Sequence, residues 1–181
     1  KSYTINQWGD LSNDAFFDAD LQSISFGQWL NLVNQVKQYA LSQSSQVWLV
    51  SHTNSFYFSI AWLGLLAAGK TTLLPPNNQQ QTLSDLGNHY DRQLLEAELD
   101  YIIKKTNHPI PEKLTINANA QCLFFTSGSS GKPKSITKAF SQLMLEVQQL
   151  NQQWPLNQNQ PGNHTSELFL STVSHQHIYG L

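Results

Sequence analysis

Residues 47–76 read VWLVSHTNSFYFSIAWLGLLAAGKTTLLPP. The opening VWLV run is short, apolar and bounded by polar residues, which predicts a buried strand. The TTLL run predicts a second strand, which the two prolines stop. Between them lies a nearly all-apolar helix, which Asn54 or Ser55 can cap and Gly69 can end. A strand, a helix and a strand with short connections form a βαβ unit, whose strands lie parallel in one sheet.

The segment before this unit predicts an amphipathic helix. Ser25 and Gln28 have the spacing of a capping box, in which each side chain accepts a hydrogen bond from the other residue's backbone N–H. Apolar residues then recur at intervals of three and four positions and predict a helix over 26–41 with one buried face: Phe26, Trp29, Leu30, Val33, Val36 and Ala40.

The segment after the unit continues the alternation of helices and strands. Five elements are predicted there: a weaker helix at 80–88, a strand at 122–126, a return strand at 135–138, an amphipathic helix from Phe140 to Trp154, and a last apolar strand at 168–173. Residues 89–117 are ambiguous and could hold strands or one helix. We therefore expect an α/β fold in which helices pack on parallel βαβ layers.

The composition is that of a globular protein with an unusually small number of charges. Of the 181 residues, 40% are hydrophobic and only 12% are charged, while 20 Gln and 15 Asn supply much of the polarity. The formal net charge is −2 and the chain has no long basic run. Duplex nucleic acid is therefore not expected as a partner, because neutralising phosphates requires a basic surface.

The cysteine content and the hydrophobic runs indicate a cytoplasmic protein. A single cysteine, Cys122, excludes an intramolecular disulfide and a multi-cysteine zinc site, and its place on a predicted strand suggests a buried, inert thiol. The most apolar run, 56–68, is shorter than the roughly 20 residues that span a bilayer. No apolar signal-peptide core follows Lys1. We expect both ends of this sequence to be cut points within a longer chain.

The residues most suggestive of chemistry follow the strand at 122–126. Residues 124–134 read FFTSGSSGKPK, in which six small residues, four of them with hydroxyls and two of them glycine, precede two lysines. Backbone N–H groups of such a loop can converge on an anion because no bulky side chain blocks the approach. A phosphate chain is the natural ligand, although a flexible glycine–serine hairpin turn would also produce this composition.

Two common nucleotide-binding loops do not match. A Walker A motif fails because Thr126 stands where its first glycine should be and Pro133 follows Lys132. The dinucleotide pattern G-x-G-x-x-G fails because Gly128 and Gly131 have no third glycine at the required spacing and no helix opens directly after them.

The string TSGSSGKPK at 126–134 instead resembles the phosphate-loop signature of adenylate-forming enzymes, the superfamily of acyl- and aryl-CoA synthetases, peptide adenylation domains and luciferases. All nine positions match, and Ser135 replaces the usual following glycine. His177 and Gly180 are similar to a second family motif, H-x-x-G, although Ser174 replaces a frequent proline. The resemblance implies that residues 1–181 are the N-terminal part of an AMP-binding domain, about a third of a family member.

This resemblance implies a role for each matched residue. The loop would hold the β- and γ-phosphates of ATP, with Ser129 and Ser130 bonding phosphate oxygens and Lys134 supplying charge. His177 and Gly180 would lie beside the pocket for the carboxylic acid. The implied nucleotide-binding residues are Thr126, Ser127, Gly128, Ser129, Ser130, Gly131 and Lys134.

The resemblance also implies a reaction and its cofactors. Such enzymes join a small carboxylic acid to ATP, usually with Mg²⁺, and pass the acyl group to coenzyme A or to the phosphopantetheine of an acyl carrier protein. The family's adenine-binding motifs, magnesium-binding acidic residue, late catalytic lysine and C-terminal lid domain have no counterpart in these residues. We therefore expect the parent protein to be a ligase and the isolated chain to be inactive, with no catalytic residue of its own.

Two other functions remain open on the sequence. The chain could be a non-catalytic, truncated domain that binds a nucleotide or a protein, or an unrelated kinase-like phosphate binder. A metal site at His164, His175 and His177 lacks an acidic partner in the same stretch and is not expected. Asp18 and Asp20 are expected to be solvated rather than catalytic.

Overall fold

The computed structural model describes residues 1–8, 14–17, 23–105, 109, 113–126 and 134–153, with only the backbone at 14–17, 105 and 126. The strands are β1 (Ser2–Thr4), β2 (Asp14–Phe17), β3 (Ser23–Ser25), β4 (Val47–Leu49), β5 (Thr71–Leu74), β6 (Arg92–Gln93), β7 (Thr115–Asn117), β8 (Gln121–Thr126) and β9 (Lys134–Ala139). The helices are α1 (Phe26–Leu41), α2 (Ser55–Ala67), α3 (Gln80–Asp85), α4 (Glu96–Lys105) and α5 (Phe140–Gln153).

A five-stranded sheet in the order β6-β4-β5-β8-β9 organises the described part of the chain. Strands β6, β4, β5 and β8 are parallel, and β9 runs antiparallel to β8. Leu49 pairs with Leu73, and Leu74 pairs with Phe124. The predicted βαβ unit is therefore confirmed as β4–α2–β5, and with it the α/β class.

One face of the sheet carries the larger core. Trp48, Cys122 and Phe124 are buried there, together with side chains of α1 and α2. The two helices approach closely where Gly64 of α2 faces Val36 of α1: a Cβ added to Gly64 would lie 2.6 Å from the Cβ of Val36. Helix α2 buries residues around most of its circumference, as its all-apolar sequence predicts.

The opposite face carries a smaller core. Leu49, Leu73 and Phe125 are buried there beneath Leu86, and Leu83 of α3 packs against the same cluster. Successive residues of a strand alternate between the two faces, so Phe124 and Phe125 anchor β8 from both sides. Both faces of a parallel sheet are expected to be covered, and here they are.

The predicted helix ends are confirmed in detail. The Gln28 backbone N–H donates to Ser25 Oγ at 3.2 Å, and the Ser25 N–H donates to Gln28 Oε1 at 2.7 Å. Asn54 rather than Ser55 caps α2, because its Oδ1 accepts from the Phe56 N–H at 2.8 Å. Gly69 follows the C-cap with φ 75°, a left-handed conformation that favours glycine.

The ambiguous region 89–117 contains β6, α4 and β7. Strand β7 pairs with β1, at the other end of the described chain, and β2 forms an antiparallel pair with β3. These short strands were not predicted. The expected strand at 168–173 lies outside the described residues, as do Asp18 and Asp20.

Candidate functional site

The carboxyl ends of β4, β5 and β8 lie at one edge of the sheet, because the three strands are parallel and adjacent. Residues 50–54, 75–79 and 127–133 follow these strand ends. In open α/β sheets, ligands bind outside the carboxyl ends of the strands. This edge, which we call the carboxyl edge, is therefore the candidate site.

Strands β8 and β9 form a hairpin whose tip belongs to the carboxyl edge. Six cross-strand pairs run in continuous register from Gln121–Ala139 to Thr126–Lys134. The glycine–serine segment 127–133 thus joins the ends of two directly paired strands. It contains Ser127, Gly128, Ser129, Ser130 and Gly131, which lie outside the described residues, as do His177 and Gly180.

The hairpin leaves the core after Phe125. Phe124 and Phe125 are 2% and 5% exposed, and Thr126 is the last residue of β8. The ring of His89 contacts that of Phe125, with centroids 5.1 Å apart. The segment after Thr126 therefore starts where a strand that is held on both faces ends, which gives the loop a firm base.

The cysteine on the same strand is confirmed as buried. Desolvation by burial raises the pKa of the Cys122 thiol to about 11, and this outweighs the nearby polar groups of Thr72 and Trp62, which lower it. At neutral pH the thiol is protonated, and a protonated thiol is a poor nucleophile. Cys122 is therefore part of the core and not of the site.

The two lysines of β9 have different surroundings. Lys134 is exposed at the start of the strand, directly opposite Thr126. Lys138 lies four residues further from the tip and forms an ion pair with Glu146 of α5. The hairpin thus has one lysine at the neck of its loop and a second, nearer α5, that pairs with that helix.

Polar side chains at the ends of β4 and β5 extend the carboxyl edge, and sequence reasoning missed them. The Ser51 Oγ donates to Asn78 Oδ1 at 2.7 Å, which links the segments after the two strands. His52 is 1% exposed, and its Nδ1 lies 3.8 Å from Glu96 Oε1 at the start of α4. Ser51 and His52 come directly after one predicted strand, and Asn78 comes shortly after the next. That position was the signal that could have identified them.

The described residues contain neither a metal-binding cluster nor a membrane-spanning helix. Within these residues, no group of three or more His, Cys, Asp or Glu is arranged to hold a metal ion. In the same part of the chain, every helix is too short or too polar to cross a bilayer.

Solved structures share this fold at low sequence identity. O-succinylbenzoate coenzyme A synthetase from Bacillus subtilis, in complex with the acyl-adenylate intermediate OSB-AMP, matches with a TM-score of 0.56 and 15% identity over 76% of this chain and 42% of that chain. MatB from Rhodopseudomonas palustris, bound to ATP, matches with a TM-score of 0.50 and 13% identity over 80% and 36%. The chain has the fold of the N-terminal part of adenylate-forming enzymes.

A further match is consistent with that placement. The inhibitor-bound N-terminal domain of FACL13 from Mycobacterium tuberculosis matches with a TM-score of 0.50 and 14% identity over 70% of this chain and 40% of that chain. This chain thus spans about 42% of the length of the O-succinylbenzoate coenzyme A synthetase. No protein-family model matches the sequence, and no curated protein does. The fold expected from the loop signature is confirmed.

Proposed function

We propose that residues 1–181 are the N-terminal part of an AMP-dependent ligase, which joins a carboxylic acid to ATP and transfers the acyl group to a thiol. The observation that carries the proposal is the position of the loop signature: TSGSSGKPK begins at the carboxyl end of β8 and ends at the first residue of β9. The structural neighbours add support, because their described ligands include ATP and an acyl-adenylate.

The described part of the site fits a phosphate chain. The loop begins and ends at paired strands of the carboxyl edge, and in the proposed role its backbone N–H groups converge on the phosphates. Lys134 stands at the neck with its side chain exposed. In the proposed role, the hydroxyls of Ser129 and Ser130 and the ammonium of Lys134 bond the β- and γ-phosphates of ATP.

Electrostatics explain what this arrangement would contribute to catalysis. Negative charge accumulates on pyrophosphate as it leaves the α-phosphate. Donors fixed where that charge develops lower the barrier by several kcal/mol, typically about 3–4 kcal/mol for one well-placed donor. Lys134 would supply the positive charge. Backbone N–H groups would come from Thr126, Ser127, Gly128 and Gly131.

The remaining parts of the proposal concern cofactors and partners. His177 and Gly180 would lie beside the carboxylic acid, and the acceptor would be coenzyme A or the phosphopantetheine of an acyl carrier protein. ATP would be used together with Mg²⁺, and within the described residues no group of three or more His, Cys, Asp or Glu is arranged to hold it. ATP and coenzyme A are both available in the cytoplasm, which is the proposed location.

Acid-dependent exchange between ATP and pyrophosphate tests this function. It is measured on the 181-residue chain and on the longest protein that the source cells make with these residues, identified by its mass with an antibody against this chain. We expect exchange with the longer protein alone. The Lys134→Ala variant of that protein should lose about 100-fold or more of its rate, as removal of one charge-stabilising donor does, and Lys138→Ala should retain it.

Other results would contradict the proposal. Full exchange by the Lys134→Ala variant would exclude the phosphate-loop role. A native species of 20.5 kDa without exchange would favour the alternative function, a non-catalytic domain that binds a nucleotide or a protein.

A further inference from the structure

An apolar groove of about 710 Å³ lies between α2 and α5. Trp62 and Leu63 of α2 form one wall, and Trp8 and Phe140 close one end, with their rings stacked at 6.5 Å. The other wall consists of residues on one face of α5: Leu143, Met144, Glu146, Val147, Leu150 and Asn151.

The apolar stripe of α5 is only half buried. Phe140 and Leu143, in its first turn, are 1% and 7% exposed. Val147 and Leu150 continue the same stripe at helical spacing, but they are 48% and 55% exposed. A surface helix normally places its whole apolar stripe against a partner. Within the described residues, the second half of the stripe faces the open groove.

The chain itself supplies an occupant of suitable chemistry and reach. Helix α5 ends at Gln153, two residues after Asn151 of the groove lining, and 28 residues follow it. These include the apolar run LFLSTV at 168–173. The 14 residues between can extend over as much as ~46 Å, whereas α5 is only about 21 Å long. The run can therefore reach every part of the groove.

We propose that residues 168–173 pack into the groove and cover Val147 and Leu150. The groove is mainly apolar, with Glu146 and Asn151 as its polar lining, and the run has four large apolar residues and no charge. Such a contact buries apolar surface on both sides, which is the main driving force for packing one element against another. The inference is independent of the proposed ligase function, because it involves no residue of the phosphate loop.

Disulfide trapping in the full chain tests the contact. One variant carries Val147→Cys and Phe169→Cys, and a matched control carries Gln149→Cys and Phe169→Cys, since Gln149 lies on the opposite side of α5. Cys122 is retained because it is buried. We expect the first pair to close an intramolecular disulfide at least about tenfold faster than the control, because a disulfide requires Cα atoms within about 7 Å.

Each other outcome overturns the proposal. Equal rates for the two pairs would mean that the run does not face the Val147 side of α5. Disulfide-linked dimers, together with a concentration-dependent dimer of the wild-type chain in sedimentation, would assign the groove to a second copy.

A pair of aspartate substitutions tests the contact even if the cysteine variants do not fold. Val147→Asp in the full chain should lower the thermal stability clearly more than Gln149→Asp if 168–173 covers the groove. Equal effects of the two substitutions would contradict that cover.

Discussion

Thr126 and Lys134 are the last directly opposed pair of the β8–β9 hairpin. Their pairing places the two ends of the segment 127–133 at neighbouring backbone positions, immediately beyond the buried Phe125. The same pairing puts the exposed Lys134 at the base of that segment.

The close approach of α1 and α2 leads to a prediction about stability. A Cβ at position 64 would lie 2.6 Å from Val36 Cβ and 2.9 Å from the Val33 carbonyl oxygen, so one of the helices must move. Gly64→Ala should lower the free energy of unfolding by about 1–3 kcal/mol, as overpacking of a core does. Urea denaturation measures this change.

Gly87→Ala is the matched control, because nothing lies within 4 Å of a Cβ added there. It should change the free energy of unfolding by about 0.5 kcal/mol or less, as surface substitutions do. If Gly64→Ala were as stable as this control, α1 and α2 could not be in the contact described.

Two carboxylates predict a loss of stability in acid. The backbone N–H groups of Val47 and Gln46 donate to Asp91 and lower its pKa. For Glu98, burial raises the pKa, but hydrogen bonds from Arg92, the Leu95 N–H and Tyr39 outweigh it and lower the pKa overall. Groups with a lowered pKa stabilise the fold above their unfolded pKa values, about 3.9 for Asp and 4.3 for Glu.

The contribution of these two carboxylates to the free energy of unfolding should therefore be constant above about pH 5. It should be lost as the pH drops through their folded pKa values. Urea denaturation at a series of pH values measures the curve. Asp91→Asn should make the acid limb shallower, because it removes one of the titrating groups. An unchanged acid limb in this variant would contradict the role given to Asp91.

The buried cysteine predicts slow thiol chemistry. With a pKa of about 11, Cys122 is almost entirely protonated at pH 8. Alkylation by iodoacetamide should be slow in native buffer and become rapid in denaturant, where the thiol regains its ordinary pKa of about 8.5. Mass spectrometry of the labelled chain measures both rates. Rapid labelling under native conditions would mean that β8 is not covered by the larger core.

Local signals in the sequence predicted the central elements. The Ser25–Gln28 capping box and the caps of α2 at Asn54 and Gly69 each depend on residues within a few positions of one another. The alternation of apolar runs and helices then predicted the parallel sheet. The loop at 126–134 was identified by its run of small residues, and its structure at 127–133 remains a prediction.

Several features that escaped prediction depend on distant parts of the chain. Strand β1 is three residues long and pairs with β7, more than 100 positions away. The Ile5 N–H donates to the Leu114 carbonyl across the same separation. The Ser51–Asn78 bond likewise exists only because β4 and β5 are neighbours in the sheet. No periodicity within a short window carries such information.

We propose that the tip of the β8–β9 hairpin binds phosphate. A titration of the isotope-labelled chain with pyrophosphate, followed by amide chemical shifts, measures this binding residue by residue. The largest shifts should fall at 126–134. Lys134→Ala should weaken binding by about tenfold or more, since a hydrogen bond to a charged group contributes about 1.5–3 kcal/mol, whereas Lys138→Ala should bind as the wild type does. Shifts outside the hairpin tip, or equal binding by the two variants, would contradict the claim.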